Sequence, residues 1–189
     1  MPVAYLDEVG LGAAFGELVA CAVILPEGYK NRKIRDSKQL RHEVIYAIAK
    51  ELAPLTHAFG VVYPDELNVM RNMFNADKLA MMRAIKGLPE MPTVLFIDGK
   101  IKLELGIDCV SIVKGDQKIL GIAAASILAK SFRDHYIINK YGKEYSSYDI
   151  INNKGYRSPR HFRAIRKYGV TDYHRKWMPQ IQRLLMENP

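Results

Sequence analysis

Cysteine is scarce in this chain, with two in 189 residues, Cys21 and Cys109. A disulfide scaffold or a Cys-rich zinc site needs more, so neither holds the fold together. Both lie in apolar, strand-like segments without metal-ligand spacing, the pattern of buried thiols in a reducing compartment. Long apolar runs are also missing. The longest, Leu18 to Leu25, falls far short of the ~20 residues that a membrane-spanning helix takes. Asp7 and Glu8 interrupt the N-terminus before the apolar stretch of a secretory signal forms. A cytoplasmic protein that does not engage membranes is the expectation. No internal repeat, low-complexity tract or linker is visible, so solenoids and fibrous architectures drop out. Acids are the rarer charge, 20 against 28 Lys and Arg, a formal net charge of +8. That balance favours a polyanionic partner. The remainder is ordinary for a globular chain, and the length suits one domain with a sizeable core.

The chain opens on Val3-Ala4-Tyr5-Leu6-Asp7-Glu8-Val9-Gly10-Leu11-Gly12. An apolar run reads as a buried strand, and it carries two adjacent acids into a glycine-punctuated turn. Acids are poor strand residues and costly to bury unpaired. Because strand side chains alternate, Asp7 and Glu8 cannot both enter one core, but at a frayed strand end both reach a single metal site. Gly10 and Gly12 leave the backbone bare beside them for close approach of a ligand. A polar turn closing a strand is the plainer reading of this segment alone.

Glu17 to Leu25 reads as a second strand closed by Pro26 and Gly28, so the sheet begins antiparallel. After a basic loop, Leu40, Val44, Ile45, Ile48, Ala49 and Leu52 recur at helical spacing up to Pro54, with Asp36 or Ser37 as N-cap. Lys38 in the first turn is unusual against the helix dipole, which an anion bound there would explain, as would a solvated lysine. A strand from Ala58 to Tyr63 leads into a long helical region from Pro64 to Lys86, stopped by Gly87. Its Leu67, Met70, Met73, Phe74, Leu79 and Met82 read as a core stripe. Val94 to Ile97 is a strand ending in Asp98-Gly99, and Cys109 to Val113 is another ending in Lys114-Gly115-Asp116. Three strands therefore end in an acid beside a glycine, and in open α/β sheets sites gather beyond strand ends.

A strong helix begins at Gly121 and runs to about Tyr141. Its three successive alanines imply a helix pressed against another surface. Ser126, Lys130 and Asp134 fall on one stripe, which is either a functional edge or an exposed face with a weak ion pair. Gly142 to Asn153 reads as loop. Ser158-Pro159 starts a helix that Gly169 stops. Its Arg160, Arg163 and Arg166, with Arg157 leading in, form either a solvated face or a phosphate-tracking one. A short helix follows Pro179. The division expected is a core over residues 1–141 and a basic helical subdomain over 142–189.

Asp7, Glu8, Asp98 and Asp116 in one crevice would repel, and a divalent cation reverses that logic. All-oxygen donors without His or Cys select Mg²⁺ or Mn²⁺ over Zn²⁺, and Mg²⁺ completes its shell with substrate phosphates. An acidic metal pocket in a basic protein points to phosphodiester chemistry, with two ions about 3.5–4 Å apart flanking the reacting phosphate. Ser37, Lys38, Ser126 and Lys130 are placed to hold the neighbouring phosphates.

Leu6 to Gly12, Asp36-Ser37-Lys38-Gln39-Leu40, Ile97-Asp98-Gly99, Lys114-Gly115-Asp116, Ala123 to Lys130 followed by Arg133-Asp134, Lys154-Gly155-Tyr156 and His174-Arg175 come in an order that resembles the type 2 ribonucleases H, over essentially the whole chain. The resemblance implies an α/β ribonuclease-H-like fold, a central mixed sheet flanked by helices, with a small helical C-terminal part. It implies an endonuclease that cuts the RNA strand of RNA–DNA hybrids and incises 5′ of ribonucleotides embedded in duplex DNA, leaving 3′-hydroxyl and 5′-phosphate ends. Carried over by motif, Asp7, Glu8, Asp98 and Asp116 resemble the catalytic, metal-binding carboxylates, and Asp134 an acid that supports the site from behind. Gly10, Leu11 and Gly12 resemble the turn against the substrate's 2′-hydroxyl, while Lys38, Ser126 and Lys130 resemble phosphate contacts. Tyr156 resembles the tyrosine that stacks on the sugar at an RNA-to-DNA junction. Mg²⁺ or Mn²⁺, a hybrid or ribonucleotide-containing duplex as partner, and a monomer follow as expectations. Two departures fall where ribonucleotides are read: Leu11 stands where the family has arginine, and Asn153-Lys154-Gly155-Tyr156-Arg157 replaces His-Lys-Gly-Tyr-Gly. A non-cleaving or relaxed-specificity relative of the same fold is the alternative, as is another nuclease such as a junction resolvase.

Overall fold

The computed structural model describes residues 2–34 and 40–187. The apolar run at the start forms β1 (Val3–Val9), the middle of a five-stranded sheet. Around it lie β2 (Leu18–Ile24), β3 (His57–Val62), β4 (Val94–Asp98) and β5 (Asp108–Ile112), in the order β3-β2-β1-β4-β5. β1 pairs antiparallel with β2, Asp7 opposite Cys21, and parallel with β4, Leu6 opposite Ile97. β2 and β3 are antiparallel and β4 and β5 parallel, so the sheet is mixed.

Alternation along β1 assigns each side chain to a layer. Ala4 and Leu6, with Ala20, Ala22, Leu95 and Ile97, form one core under α3 (Met73–Lys86). Tyr5 and Val9, with Cys21 and Val23, form another under α1 (His42–Leu52) and α4 (Leu120–Tyr141). Ala123, Ala124, Ala125 and Ala129 are buried in that second core. Side chains no longer than a methyl let α4 lie directly on β1 and β2, and this is how its polar stripe reaches the sheet end.

The structure revises several sequence-based expectations. The helix expected from Pro64 to Lys86 is two, α2 (Pro64–Met70) and α3. Arg71 takes a left-handed backbone (φ 50°) and Asn72 caps α3, its side-chain oxygen accepting from Asn75 N–H at 3.1 Å. The break resets the helical phase. Leu67 remains buried but Phe74 points outward, and the buried face of α3 is Ala76, Asp77, Ala80, Met81, Ala84 and Ile85. The α1 helix begins only at His42, after Leu40, while Asp36, Ser37 and Lys38 lie outside the described residues. Cys109 is only partly buried, on the edge strand.

The segment read as loop after α4 contains a 3-10 turn (Ser146–Tyr148) and the one-turn α5 (Ile150–Asn153). Next comes α6 (Pro159–Tyr168), with Pro159 in its first turn and the Ser158 hydroxyl accepting from His161 N–H at 3.1 Å. The chain then reaches α7 (Pro179–Glu187). Ile150, Ile165, Ile181 and Met178 bury against Phe15, from the β1–β2 connection, and against Ile137 and Tyr141 of α4. No helix among the described residues is long and apolar enough to cross a membrane.

Candidate active site

Pairing between β1 and β4 ends at Leu6 and Ile97. Asp7 and Asp98 are the next residues on each strand, so they flank the opening where two parallel strands part. The expectation of a frayed strand end for Asp7 and Glu8 needs correction, because β1 stays paired with β2 through Val9. Asp116 arrives from the turn before α4. Lys114 adopts a left-handed backbone (φ 57°), and Gly115 N–H then donates to Asp98 Oδ1 at 2.6 Å. A Cβ on Gly115 would meet the Ile122 side chain at 2.5 Å and Asp98 Oδ1 at 3.3 Å, so glycine leaves room for this approach. As a result Asp7, Asp98 and Asp116 each bring a carboxylate oxygen within 4.8 Å of the others.

Glu8 leaves β1 on the opposite face, toward α3, and its carboxylate falls outside that group of three. It lines the same cleft of about 500 Å³ as Asp7, Asp98, Lys130 and Tyr156. On the α3 side Glu8 shares a recess with Asp98 and with Asp77, an acid absent from the sequence-based site. Asp77 is buried, and its Oδ1 has no hydrogen-bond partner. A signal existed in the sequence: Asp77 is in phase with Ala76, Ala80 and Ala84, but only once the helix break is known.

The electrostatics of this crowd are one-sided. Burial, then the Glu8 charge, holds the Asp7 carboxyl well above the usual carboxylate range, against a hydrogen bond from Ser126. Glu8 is pushed up to about 8, by burial first and then by Asp77 and Asp98. Asp77 is pushed up to about 7 by burial and by Asp7 and Asp98. Without a counter-charge such groups prefer protons, and a divalent cation removes the preference. The donors are all carboxylate oxygens, with no thiolate or imidazole among them, and they suit a hard ion.

The frame that holds the cleft is built from two buried arginines. Arg133 of α4 donates to the carbonyls of Glu17 (2.7 Å), Lys154 (3.0 Å) and Phe15 (3.2 Å). Arg175 donates to those of Leu11 (3.0 Å) and Gly16 (3.2 Å). Gly10 lets the chain turn over them: its φ is +98°, and a Cβ would meet Arg133 Nε at 2.5 Å and Glu17 O at 2.9 Å. The same frame seats Tyr156. Ala14 N–H donates to Gly155 O at 2.9 Å, Ala13 bridges Tyr156, and the Tyr156 ring lies 5.1 Å from both Lys130 Nζ and the Arg133 guanidinium carbon.

The stripe on α4 faces the site and not solvent. Ser126 is buried and engaged with Asp7. Lys130 pairs with the buried Asp134 at 2.9 Å, and His42 Nδ1 stands 3.5 Å from the same Asp134 oxygen. Gly10, Leu11 and Gly12 line the cleft, and Arg157 Nη2 lies 3.7 Å from where a Cβ on Gly12 would sit. Arg160, Arg163 and Arg166 are exposed on α6. Lys38 lies outside the described residues.

A mixed sheet of this order, with acids gathered where β1 and β4 part, defines the ribonuclease-H-like class. Ribonuclease H2 from Pyrococcus horikoshii OT3 shares the fold with a TM-score of 0.83 and 24% identity, over 99% of this chain and 98% of that one. So does Bst-RNase HIII, solved in complex with Mn²⁺, with a TM-score of 0.71 and 18% identity over 99% and 70%. Residues 5–188 match the family model of ribonuclease HII, and the chain belongs to that family, the type 2 ribonuclease H endonucleases. The ribonucleases HII of Phocaeicola vulgatus and Parabacteroides distasonis are 46% and 44% identical to it. Those matches cover 89% and 90% of this chain and 85% and 86% of theirs.

Proposed function

We propose that this chain hydrolyses the RNA strand of RNA–DNA hybrids and incises 5′ of ribonucleotides embedded in duplex DNA, leaving 3′-hydroxyl and 5′-phosphate ends. Asp7, Glu8, Asp98 and Asp116 are the catalytic carboxylates and hold Mg²⁺ or Mn²⁺. The observation that carries this reading is the approach of Asp7, Asp98 and Asp116 to within 4.8 Å at the sheet end. Bound there, divalent cations supply the charge that stabilises an in-line phosphoryl transfer. The Ser126 hydroxyl orients Asp7, and Gly115 N–H orients Asp98. Lys130 takes a flanking phosphate while Asp134 holds its ammonium in place. Tyr156 presents its ring to the sugar beside the ribonucleotide, and the bare turn Gly10-Leu11-Gly12 faces the 2′-hydroxyl. Leu11 brings no charge to that turn, and the Arg157 guanidinium beside Gly12 supplies one. Lys38 is a further phosphate contact, and residues 142–189 form the basic subdomain that follows the duplex. The protein acts as a cytoplasmic monomer.

A non-cleaving binder of the same fold is the weaker reading, because acids packed where phosphates must pass oppose binding unless a cation is held. Incubation with Mg²⁺ or Mn²⁺ and three duplexes tests the proposal: DNA, RNA–DNA hybrid, and DNA with one ribonucleotide. Cutting of the last two is expected. Binding of either without cutting, in both metals, would overturn it.

A further inference from the structure

The recess on the α3 side of the sheet end holds an acid for which the proposed chemistry has no use. Asp77 is 5% exposed, in the helical phase of the alanines that pack α3 on the sheet. Among the described residues no lysine, arginine or histidine pairs with it, and Oδ1 has no hydrogen-bond partner of any kind. An unpaired acid in a helix face otherwise made of alanine, methionine and isoleucine costs stability unless something answers its charge. The other charged groups lining the recess are the acids Glu8 and Asp98, and Lys100, which makes no ion pair with Asp77.

We infer that Asp77 is a fifth carboxylate of the cation site, a positioning residue that tightens divalent-cation binding by its charge and through Glu8, without being a ligand of the Asp7–Asp98–Asp116 group. It stands outside the oxygens that come within 4.8 Å of one another. It lies behind Glu8, on the sheet face opposite α4. The repulsion it exerts on Glu8, Asp7 and Asp98 in the cation-free protein becomes attraction once a cation is present. The same side chain therefore destabilises one state and favours the other. A purely structural acid would do neither.

The inference rests on the cation site proposed above, and the test separates the two. Mn²⁺ binding to the full chain is followed by titration calorimetry and by the rise in melting temperature on adding Mn²⁺, for wild type, Asp77→Asn, Asp77→Glu and Asp98→Asn. Asp77→Asn keeps the shape and removes the charge. It is expected to melt higher than wild type in a chelator, to gain less from Mn²⁺, and to bind Mn²⁺ about five-fold more weakly, the effect of one charge several ångströms from a divalent ion in a wet cleft. Asp77→Glu should restore most of the affinity. Asp77→Ser, smaller and uncharged, repeats the measurement if the asparagine variant does not fold. An Asp77→Asn or Asp77→Ser protein that binds Mn²⁺ as tightly as wild type, with the same rise in melting temperature, overturns the inference and leaves the cation site standing. A wild-type protein whose melting does not respond to Mn²⁺, and which Asp98→Asn matches, overturns the site itself and the inference with it.

Discussion

His161 Nε2 and His174 Nε2 face each other at 3.1 Å, both rings fully buried behind Tyr156. Their neighbours assign the protons. Thr171 N–H donates to His174 Nδ1 at 2.9 Å, so His174 carries its hydrogen on Nε2 and donates to His161. His161 then carries its own on Nδ1 and donates to Tyr156 O at 2.9 Å. This one-way chain anchors the backbone of the residue proposed to read the junction. Replacing His161 with Phe leaves the His174 N–H without a partner in the interior, while the Tyr156 carbonyl keeps only its bond from Ser158 N–H at 2.8 Å. A loss of ~1–3 kcal/mol is expected for such a group, read from the urea midpoint. An unchanged midpoint would mean that water takes over the role of the ring.

Arg133 ties three carbonyls from the β1–β2 connection and the Tyr156 loop. Arg133→Lys keeps the charge but replaces three nitrogens, each aimed at its own carbonyl, with one, so the three bonds cannot all be kept. We expect a loss of ~3–5 kcal/mol, the range for breaking a buried charged network, and a greater fall in cutting of single ribonucleotides than of continuous hybrid. Denaturation and parallel cleavage assays check both.

The pH dependence of stability has two opposed arms. Burial and the charges of His161 and Lys176 hold His174 down at about 3, and burial lowers His161 also. The unfolded chain therefore takes up protons below about pH 6.5 that the folded chain refuses, and stability falls as pH drops through that range. Glu8 and Asp77 are raised to about 8 and about 7. Their folded forms hold protons that the unfolded chain loses near pH 4, so their contribution declines as pH rises from there, by up to about 1.4 kcal/mol per pH unit for each group, and the decline levels off above the folded values near 7 and 8. In a chelator, melting temperature should fall between pH 6.5 and 8, and saturating Mn²⁺ should abolish that fall by keeping the acids ionised. A fall of equal size with Mn²⁺ would show that the acids are not the groups responsible.

Asp98→Asn should abolish cutting in Mg²⁺ while hybrid binding persists or improves, because one negative charge leaves the path of the phosphates. Undiminished cutting would remove Asp98 from the site. Tyr156→Ala should harm the single-ribonucleotide substrate more than the hybrid, and equal losses on both would contradict its proposed role at the junction.

Gly10→Ala puts a methyl against Arg133 Nε and Glu17 O on a backbone at φ +98°. A loss of ~1–3 kcal/mol is expected for such a strained position, together with reduced cleavage, since the displaced groups hold the turn that lines the cleft. Calorimetric melting beside a hybrid-cleavage assay would show both losses or neither.

Much of this was legible along the chain. The apolar runs at Val3, Val94 and Cys109 marked strands, and each led to an acid close to a glycine. The alanines of α4 announced close packing, and Ser158-Pro159 and Gly169 bounded α6. What misled was local phase. A left-handed Arg71 broke a helix that periodicity reads as continuous, and the break turned Phe74 outward and Asp77 inward.

By itself, then, the sequence determined where the five strands and most of the helices lie and which acids stand in or just beyond strands, because period and turn chemistry are written in neighbouring residues. Only the tertiary structure decided that β1 and β4 part between Leu6 and Asp7, that Glu8 belongs to the α3 side, and that Asp77 joins it. Those are distances between residues far apart in the chain, set by which surfaces bury against each other, and no local pattern encodes them.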